Sequence, residues 1–520
     1  MSVTDDPLAG VGSSLETIES YSGLDSATVQ VCRPADEAEL RMVFEHARTS
    51  RPRRRVTLRA GGRSFDAQSL NDDLVISMER FDSIEVDPSR TRVTVGAGAR
   101  WGDIVATLQP LGLVPAVTVT TSHATAGGTL AGDCLSRFST AWGKEGAWIQ
   151  GFEFLTVAGT VLHCTPAADD VEPARWTLAE RVFFAAIGGL GYLGAFLSIT
   201  YSVLDAGQTA GRIGVRTTVR KYDSFEALAG RLVPVTDEMR AEASDPRDPT
   251  KRDAIYSALG PRRGREEALL LTSSFTDSPE RRRTALFQPD RWYRVPVEWL
   301  VRWKRFNRAL WWVSFATRLG YREDDEYVDD LWGFTFFQDG NVRAKRVARA
   351  WTGRRLKTIQ QTFIVPADGE RLVAWLQQAQ RFLAERNLHP TLTDVLYLPR
   401  DLPFALSATA DTAGFAVSYA FETSRRRELD RVSEAFSELA DVLLEEYGGR
   451  VYLVKNVRAS QGTLAAMYGD HAEAFFALKA EIDPDGVLRN AFLERTFGPT
   501  LAGTSARPAP GDGRPPSAAG

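Results

Sequence analysis

Two glycine-paired stretches carry residue types able to hold an anion. Leu58-Arg59-Ala60-Gly61-Gly62-Arg63-Ser64-Phe65 follows a basic run over 51–55, and Thr125-Ala126-Gly127-Gly128-Thr129-Leu130-Ala131-Gly132-Asp133-Cys134 supplies a second glycine pair. Adjacent glycines let successive backbone N–H groups converge on one point, because no Cβ stands in the way. Such a concave row of amides suits a phosphate or pyrophosphate. Arg59, Arg63 and Ser64 would add charge and a hydroxyl to the first turn. A Gly-Gly pair between strands is most often only a turn, so the other walls of a nucleotide site must come from elsewhere in the chain.

Other chemistry is hard to find. Gly189-Leu190-Gly191-Tyr192-Leu193-Gly194 matches G-x-G-x-x-G, but a strand-like segment over 196–204 follows where that motif needs a helix. Val95-Gly96-Ala97-Gly98-Ala99-Arg100-Trp101-Gly102 lies between a strand and a helix, yet its third glycine comes one residue late. No acidic residue sits about twenty positions on to take a ribose. Neither stretch reads as a nicotinamide site. There is no G-x-S-x-G elbow, no Walker loop and no H-E-x-x-H. The five histidines, His46, His123, His163, His389 and His471, lack ligand spacing, so no metal is expected.

Composition sets the frame. A chain of 520 residues, 43% hydrophobic and 25% charged, reads as a globular protein of two domains, or one with a large insertion. Its net charge of −4 argues against a nucleic-acid partner. Cys32, Cys134 and Cys164 form no Cys-x-x-Cys pair and read as reduced thiols. Residues 1–6 are acidic and lack the apolar core of a secretory signal. No run of about eighteen apolar residues occurs. A cytoplasmic protein, peripheral at most at the inner face of a membrane, is the expectation.

Around the two glycine pairs the chain alternates short strands with few long helices. A strand is predicted over 29–32, a helix over 35–49 with Leu40, Val43, Phe44 and Ala47 on one face, and strands over 75–78, 83–86 and 92–95. A helix over 102–111 ends at Gly112, and 152–164 reads as a hairpin turning at Ala158-Gly159-Thr160. From about 206 a second sheet is expected, with strands at 215–219, 268–273, 358–365 and 415–421 and helices at 225–232, 369–386 and 425–447. The pattern is α+β. Residues 1–25 read as a loose lead-in, and 501–520, rich in Pro, Gly, Ala and Ser, as a disordered tail.

Taken together, Arg59–Phe65, Val95–Trp101, Thr125–Gly132, Gly151–Gly159 and Ile187–Gly194 occur in an order and spacing that resemble the vanillyl-alcohol-oxidase/PCMH family of flavoproteins. Ile482-Asp483-Pro484-Asp485-Gly486-Val487-Leu488-Arg489-Asn490 looks like that family's closing signature. The resemblance is good over 26–205 and 450–492 and weaker between. It implies a two-subdomain FAD-binding module over 26–205, a mixed α/β cap over 206–449 carrying substrate contacts, and a segment over 450–500 returning to the flavin. Within the family the likeness is greatest to oxidases of a lipid-linked sugar. Those are the flavin half of a pair in which a partner reductase completes an epimerisation. That likeness rests on Gly62–Phe65, Thr125–Gly128 with Asp133, Val451–Arg458 and Thr362–Pro366.

The resemblance implies that Arg59, Ala60, Gly61, Gly62, Arg63, Ser64, Phe65, Thr125, Ala126, Gly127, Gly128, Gly132, Asp133, Cys134, Leu135 and Ala195 line FAD and that Tyr452 touches it. It places Lys455 beside the flavin as the catalytic residue. A cation there would stabilise negative charge developing on the reduced cofactor, or hold a substrate hydroxyl. Thr362, Tyr397 and Ser418 fall among the cap's substrate contacts. Three departures bear on the substrate: Leu135 stands where the lipid-sugar oxidases have a histidine, Tyr397 where they have a lysine, and Ser418 where they have a cysteine. In many family members the residue before the serine of Gly-Gly-x-Ser is a histidine bonded to the flavin. Here it is Arg63, so FAD is expected to be held without a covalent tether.

Residues 291–322 interleave Trp292, Trp299, Trp303, Trp311 and Trp312 with Arg294, Arg302, Lys304, Arg305, Arg308 and Arg318. Such a helix would either pack its tryptophans in the cap with arginines snorkelling outward or lie in a membrane interface. The expected function is oxidation of a secondary alcohol, on a sugar or a lipid-linked sugar or polyol, by hydride transfer to FAD. Free-sugar, alditol or lactone oxidation and double-bond reduction remain alternatives on the same scaffold. A flavin-free membrane-associated binding protein is the alternative of another class.

Overall fold

Helix formation between the first strands follows from a cap and a stripe. Asp36 accepts a hydrogen bond from the Glu39 N–H at 2.9 Å and starts the helix Glu37–Thr49. Leu40, Val43, Phe44 and Ala47 recur at helical spacing, and all four are fully buried. They pack against Cys32, Val56, Leu74 and Ile76 of a four-stranded sheet. In that sheet β1 (Ser14–Glu19) is antiparallel to β2 (Ser26–Cys32), and β3 (Val56–Arg59) and β2 both run parallel to β4 (Leu74–Ser77). The computed structural model describes residues 8–206, 213–241, 251–260, 266–276, 325–339 and 356–505. The aromatic-basic stretch over 291–322 and residues 506–520 of the expected tail lie outside them.

A second sheet follows, antiparallel throughout: β5 (Ile84–Val86), β6 (Arg92–Gly96), β7 (Leu113–Pro115), β8 (Ile149–Thr156), β9 (Val161–Cys164) and β10 (Gly194–Asp205), in the order β5-β6-β10-β8-β9 with β7 on the end of β10. Its core is aromatic. Phe152 stacks on Phe183 of the helix Leu178–Ala186 at 5.4 Å and meets Phe196 edge-on at 4.8 Å.

The third sheet forms the cap: β11 (Gly214–Tyr222), β12 (Ala254–Leu259), β13 (Ala268–Thr276), β14 (Asp325–Asp330), β15 (Lys357–Pro366), β16 (Leu392–Leu398), β17 (Gly414–Thr423) and β18 (Arg450–Val451). Its order is β14-β11-β13-β12-β16-β17-β15-β18. Helices cover one face. Trp375 of the helix Gly369–Glu385 and Phe436 of the helix Arg426–Val442 meet Phe363 of β15 at 5.2 and 5.8 Å. The opposite face, with Ile364, Leu396 and Ala416, packs with Tyr452, Leu135 and Val454 toward the first two sheets.

After β18 the chain returns to its beginning. Val56 and Leu488 form a parallel bridge, and the Val56 N–H donates to the Val487 carbonyl at 2.8 Å. Two expectations need correction. The lead-in over 1–25 contains β1, which adds an edge strand to the first sheet. The last helix, Ala491–Ser505, runs five residues into the stretch expected to be a tail. Among the described residues no helix is long and apolar enough to cross a membrane.

Candidate functional site

The first glycine pair sits where β3 ends. Gly61 is pressed against the second glycine stretch: a Cβ there would lie 2.6 Å from the His123 carbonyl, and its N–H donates to the Thr125 hydroxyl at 3.3 Å. Gly62 holds φ at +62°, in the left-handed region that glycine enters without strain. Behind the turn, the Arg59 guanidinium donates to the Glu19 carbonyl and to Ser69 Oγ, at 3.0 and 3.1 Å. The two glycine stretches, sixty-odd residues apart, are therefore one structure.

The second stretch forms the short helix Ala126–Leu130, laid on the chain leaving β6. The Ala126 and Gly127 N–H groups donate to the Ala99 and Ala97 carbonyls, both at 2.9 Å. At Gly127 a Cβ would come within 2.7 Å of Ala97 Cβ, so only glycine permits this contact. Gly128 differs: a Cβ there would touch only Thr125 Oγ1, at 3.0 Å, and would point into open space. A third turn rests on the second. The Gly188 and Leu190 N–H groups donate to the Leu130 and Ala131 carbonyls, and Gly188, Leu190 and Gly191 all have positive φ.

The C-terminal segment is sewn to the first loop by side chains. Asp66, 1% exposed, accepts from Arg458 at 2.6 Å, Arg495 at 2.9 Å and the Val457 N–H at 3.1 Å. Burial alone would raise its pKa, but the two guanidiniums outweigh it and hold the carboxyl below the usual range. Gln68 donates to the Leu453 and Lys455 carbonyls, and Asn456 to the Phe65 carbonyl. Behind them Asn490 donates to the carbonyls of Ala67, Gln68 and Leu70. Asp483 accepts from Lys479 and from the Val487 and Leu488 N–H groups. The closing signature is thus a clamp on the first loop.

Between these elements lies a cleft with about 1260 Å³ of atom-free space, open at its mouth. Arg59, Ala60, Gly61, Gly62, Arg63, Ser64, Phe65, Thr125, Gly127, Gly128, Gly132, Cys134, Ala195 and Lys455 all line it. Ala126, Asp133, Leu135 and Tyr452 do not. Ala126 is buried in the core behind its helix. Asp133 turns inward to Lys144, Leu135 packs toward the cap, and the Tyr452 hydroxyl donates to the Asp133 carbonyl at 2.9 Å, bracing the loop from behind.

None of the three cap residues lines the cleft. Thr362 and Ser418 share a hydrogen bond of 2.8 Å on the side of the cap sheet that packs with Tyr452 and Leu135. Tyr397 lies on the opposite side, ring-to-edge with Phe415 and hydrogen-bonded to Arg240 of the helix Phe225–Ala241. The placement of Tyr397 as a substrate contact is corrected by strand periodicity: a shift of one residue moves a side chain to the other face. Several lining residues went unrecognised, among them Tyr21, Gln68, Met78, Thr120, Thr121 and Gln338. Leu190, Gly191 and Gly194 also line it, within a stretch that fails only as a dinucleotide fingerprint. Gln338 had no local signal. It arrives because Asp339 accepts from the hydroxyls of Thr121 and Ser122 at 2.7 and 2.6 Å.

Two buried polar networks support the second loop. Lys144 bridges Asp133 and Asp401 at 2.6 and 2.7 Å, joining the loop to the cap. Burial opposes its charge, but the two carboxylates outweigh burial and push its pKa above the ordinary lysine value. Burial raises Asp133 to about 6 against the pull of Lys144. Glu145 accepts from Tyr201 at 2.7 Å and Thr129 at 2.9 Å, and burial pushes its carboxyl up to about 8.

Lys455 stands apart. Among the described residues its ammonium makes no ion pair or hydrogen bond. It lies 4.3 Å from the centroid of the Phe65 ring and faces the cleft. Burial lowers its pKa, while the negative charges that Cys134 and Asp394 can carry pull the other way. A desolvated ammonium with open donors, at the end of a glycine-lined cleft, is placed to meet a ligand atom.

A long cleft lined by glycine N–H turns and a guanidinium fits a dinucleotide with a pyrophosphate at its middle. Known proteins agree. Residues 29–165 match the family described as FAD binding domain, and residues 408–496 the family described as D-arabinono-1,4-lactone oxidase. The chain is 32% identical over 149 residues to decaprenylphosphoryl-beta-D-ribose oxidase of Mycolicibacterium smegmatis, which is 28% of this chain and 30% of that protein. It is 28% identical over 169 residues to L-gulonolactone oxidase of Bos taurus, 32% of this chain and 36% of that one. It is 25% identical over 229 residues to cytokinin dehydrogenase 8 of Oryza sativa, 40% of this chain and 39% of that one. Each match spans well under two thirds of the relative's length. Residues 29–165 are thus an FAD binding domain. FAD is the protein's cofactor.

Proposed function

We propose that the protein oxidises a secondary alcohol of a sugar or related polyol, with Lys455 holding the reacting hydroxyl. The observation that carries this reading is the Lys455 ammonium, half-buried, lacking an ion pair among the described residues and facing the cleft. The glycine turns at Gly61-Gly62 and Gly127-Gly128, with Arg63 and Ser64, would hold FAD, and Cys134 and Ala195 would wall it. When bound, FAD supplies the acceptor for hydride from the substrate carbon. Lys455 Nζ would hold the alcohol oxygen and orient its carbon; in the amine form that burial favours, it accepts the hydroxyl proton as the hydride leaves and remains as an ammonium beside the new carbonyl oxygen. The surrounding apolar wall strengthens that interaction by excluding water.

The match over residues 408–496 includes Lys455, which supports a free sugar or lactone as the substrate form. The likeness to an oxidase of a lipid-linked ribose supports the lipid-linked form equally well. Anaerobic titration of the FAD-loaded protein with alditols, aldoses and lactones, read as loss of flavin absorbance, tests the proposal. Failure of every alcohol to bleach a flavin that dithionite reduces normally would overturn it.

A further inference from the structure

On the side of the cap sheet that packs with Tyr452, one row is polar across three strands. Thr362 of β15 and Asp394 of β16 are both register partners of Ser418 in β17, so the three side chains stand abreast on one face. Their neighbours on that face, Ile364, Leu396 and Ala416, are buried. Ser418 donates to the Asp394 carboxyl. The Tyr256 hydroxyl of β12 approaches Asp394 Oδ2 at 3.4 Å. No Lys, Arg or His among the described residues forms an ion pair with Asp394, although Lys455 and Arg137 are near enough for their charges to act on it.

Arg137 comes from the opposite side, just past the second glycine stretch. Its guanidinium lies 3.9 Å from the centroid of Phe337 and 4.7 Å from that of Tyr256. Among the described residues its buried Nε has no hydrogen-bond partner, and the bond from Nη1 to the Phe334 carbonyl is long at 3.5 Å. Among the described residues it too has no carboxylate partner. Two cations and a carboxylate thus lie near one another without an ion pair among the described residues, Lys455 on the cleft and Arg137 and Asp394 outside its lining. Such groups are expensive to desolvate unless something satisfies them. An apolar ligand would satisfy none of them. A carboxylate would suit Arg137 but bring its charge against Asp394. A molecule with several hydroxyls offers a donor to Asp394 and acceptors to Arg137 and Lys455.

We propose that Asp394 and Arg137 form a specificity site for an uncharged, hydroxyl-rich substrate, Asp394 accepting from one hydroxyl and Arg137 donating to another oxygen. This rests on the alcohol-oxidation reading and assigns the substrate's remote hydroxyls to named side chains.

The test uses the FAD-loaded full chain and its Asp394→Asn and Arg137→Gln variants, with xylitol, gluconate and 2-hexanol as probes. Half-saturation for xylitol is expected to rise about 10- to 100-fold relative to that for 2-hexanol in both variants. Flavin occupancy and reduction by dithionite should stay at the wild-type level. Gluconate should protect Asp394→Asn against thermal unfolding better than it protects wild type. Unchanged xylitol half-saturation in both variants would overturn the inference. So would gluconate preferred by wild type and lost in Arg137→Gln alone, which would mark a carboxylate site. If no alcohol bleaches the wild-type flavin, the oxidation reading falls by itself. Thermal protection by xylitol, kept in wild type and lost in Asp394→Asn, would then still support the site; equal protection of both would overturn it.

Discussion

The glycine loops around the cleft and the cap sheet behind it are made of different material. The flavin-side wall is mostly backbone: glycine turns at residues 61–62, 127–128 and 188–191, held by N–H to carbonyl bonds between loops. The cap sheet instead turns toward Leu135, Tyr452 and Val454 a face on which a few polar side chains stand among apolar ones. A backbone wall recognises a shape shared by all ligands of one kind, such as a dinucleotide. A side-chain face can change its preference one residue at a time while the strands stay paired. That difference explains why the FAD-binding module is recognisable across relatives as different as a lactone oxidase and a cytokinin dehydrogenase.

The sharpest way to break this comparison is to put a side chain where the backbone wall requires none. Gly128→Val should fold, because its Cβ meets only Thr125 Oγ1, yet its branches would occupy the cleft. The expected outcome is a folded, colourless protein. Circular dichroism and flavin absorbance check this, and full FAD occupancy would show that Gly128 does not face the cofactor. Next in size is Lys455→Ala, which removes the amino group facing the cleft. FAD should stay bound while its reduction by substrate slows roughly 100- to 1000-fold, the usual loss for one preorganised donor. Stopped-flow reduction measures it, and unchanged rates would take Lys455 out of the mechanism.

Behind the backbone wall, Glu145 tests whether the loop's support is protonated. Its carboxyl is raised to about 8 in the folded chain from 4.5, so between those values the folded state holds a proton that the unfolded state has lost. Stability should therefore fall as pH rises from about 4.5 to about 8 and level off above, by on the order of a few kcal/mol. Glu145→Gln should abolish this component, so its melting temperature should gain on wild type toward alkaline pH. Parallel curves from pH 5 to 9 would mean that Glu145 does not titrate as described. The smallest effect is expected at Tyr397→Phe. Its hydroxyl meets Arg240 on the far side of the cap sheet, so substrate half-saturation should change less than about 2-fold. A large rise would put Tyr397 back among the substrate contacts.

The legible part of this protein was its local part. Asp36 and the stripe Leu40, Val43, Phe44 and Ala47 specify a helix through spacing alone, and Gly61, Gly62 and Gly127 announce a close backbone approach because no other residue allows it. Lys455 and the closing segment were found by resemblance rather than by physics. A lone lysine in a short β-rich run carries no mark of the hydrogen bonds from Gln68 and Asn456 that fix its segment. Tyr397 shows the limit most plainly. The sequence determined that 392–398 can be a strand, but which face packs toward Tyr452 and Leu135 depends on pairing with β17, where one residue of register exchanges every side chain. Asp394, Arg137 and Gln338 were invisible for a related reason. They come from three separate parts of the chain, and each is unremarkable until packing removes the water around it. Composition and glycine spacing determined that this chain would build a nucleotide-holding cleft. Only the tertiary structure decided which polar groups come together beside it, because burial and proximity belong to the folded chain and to no residue alone.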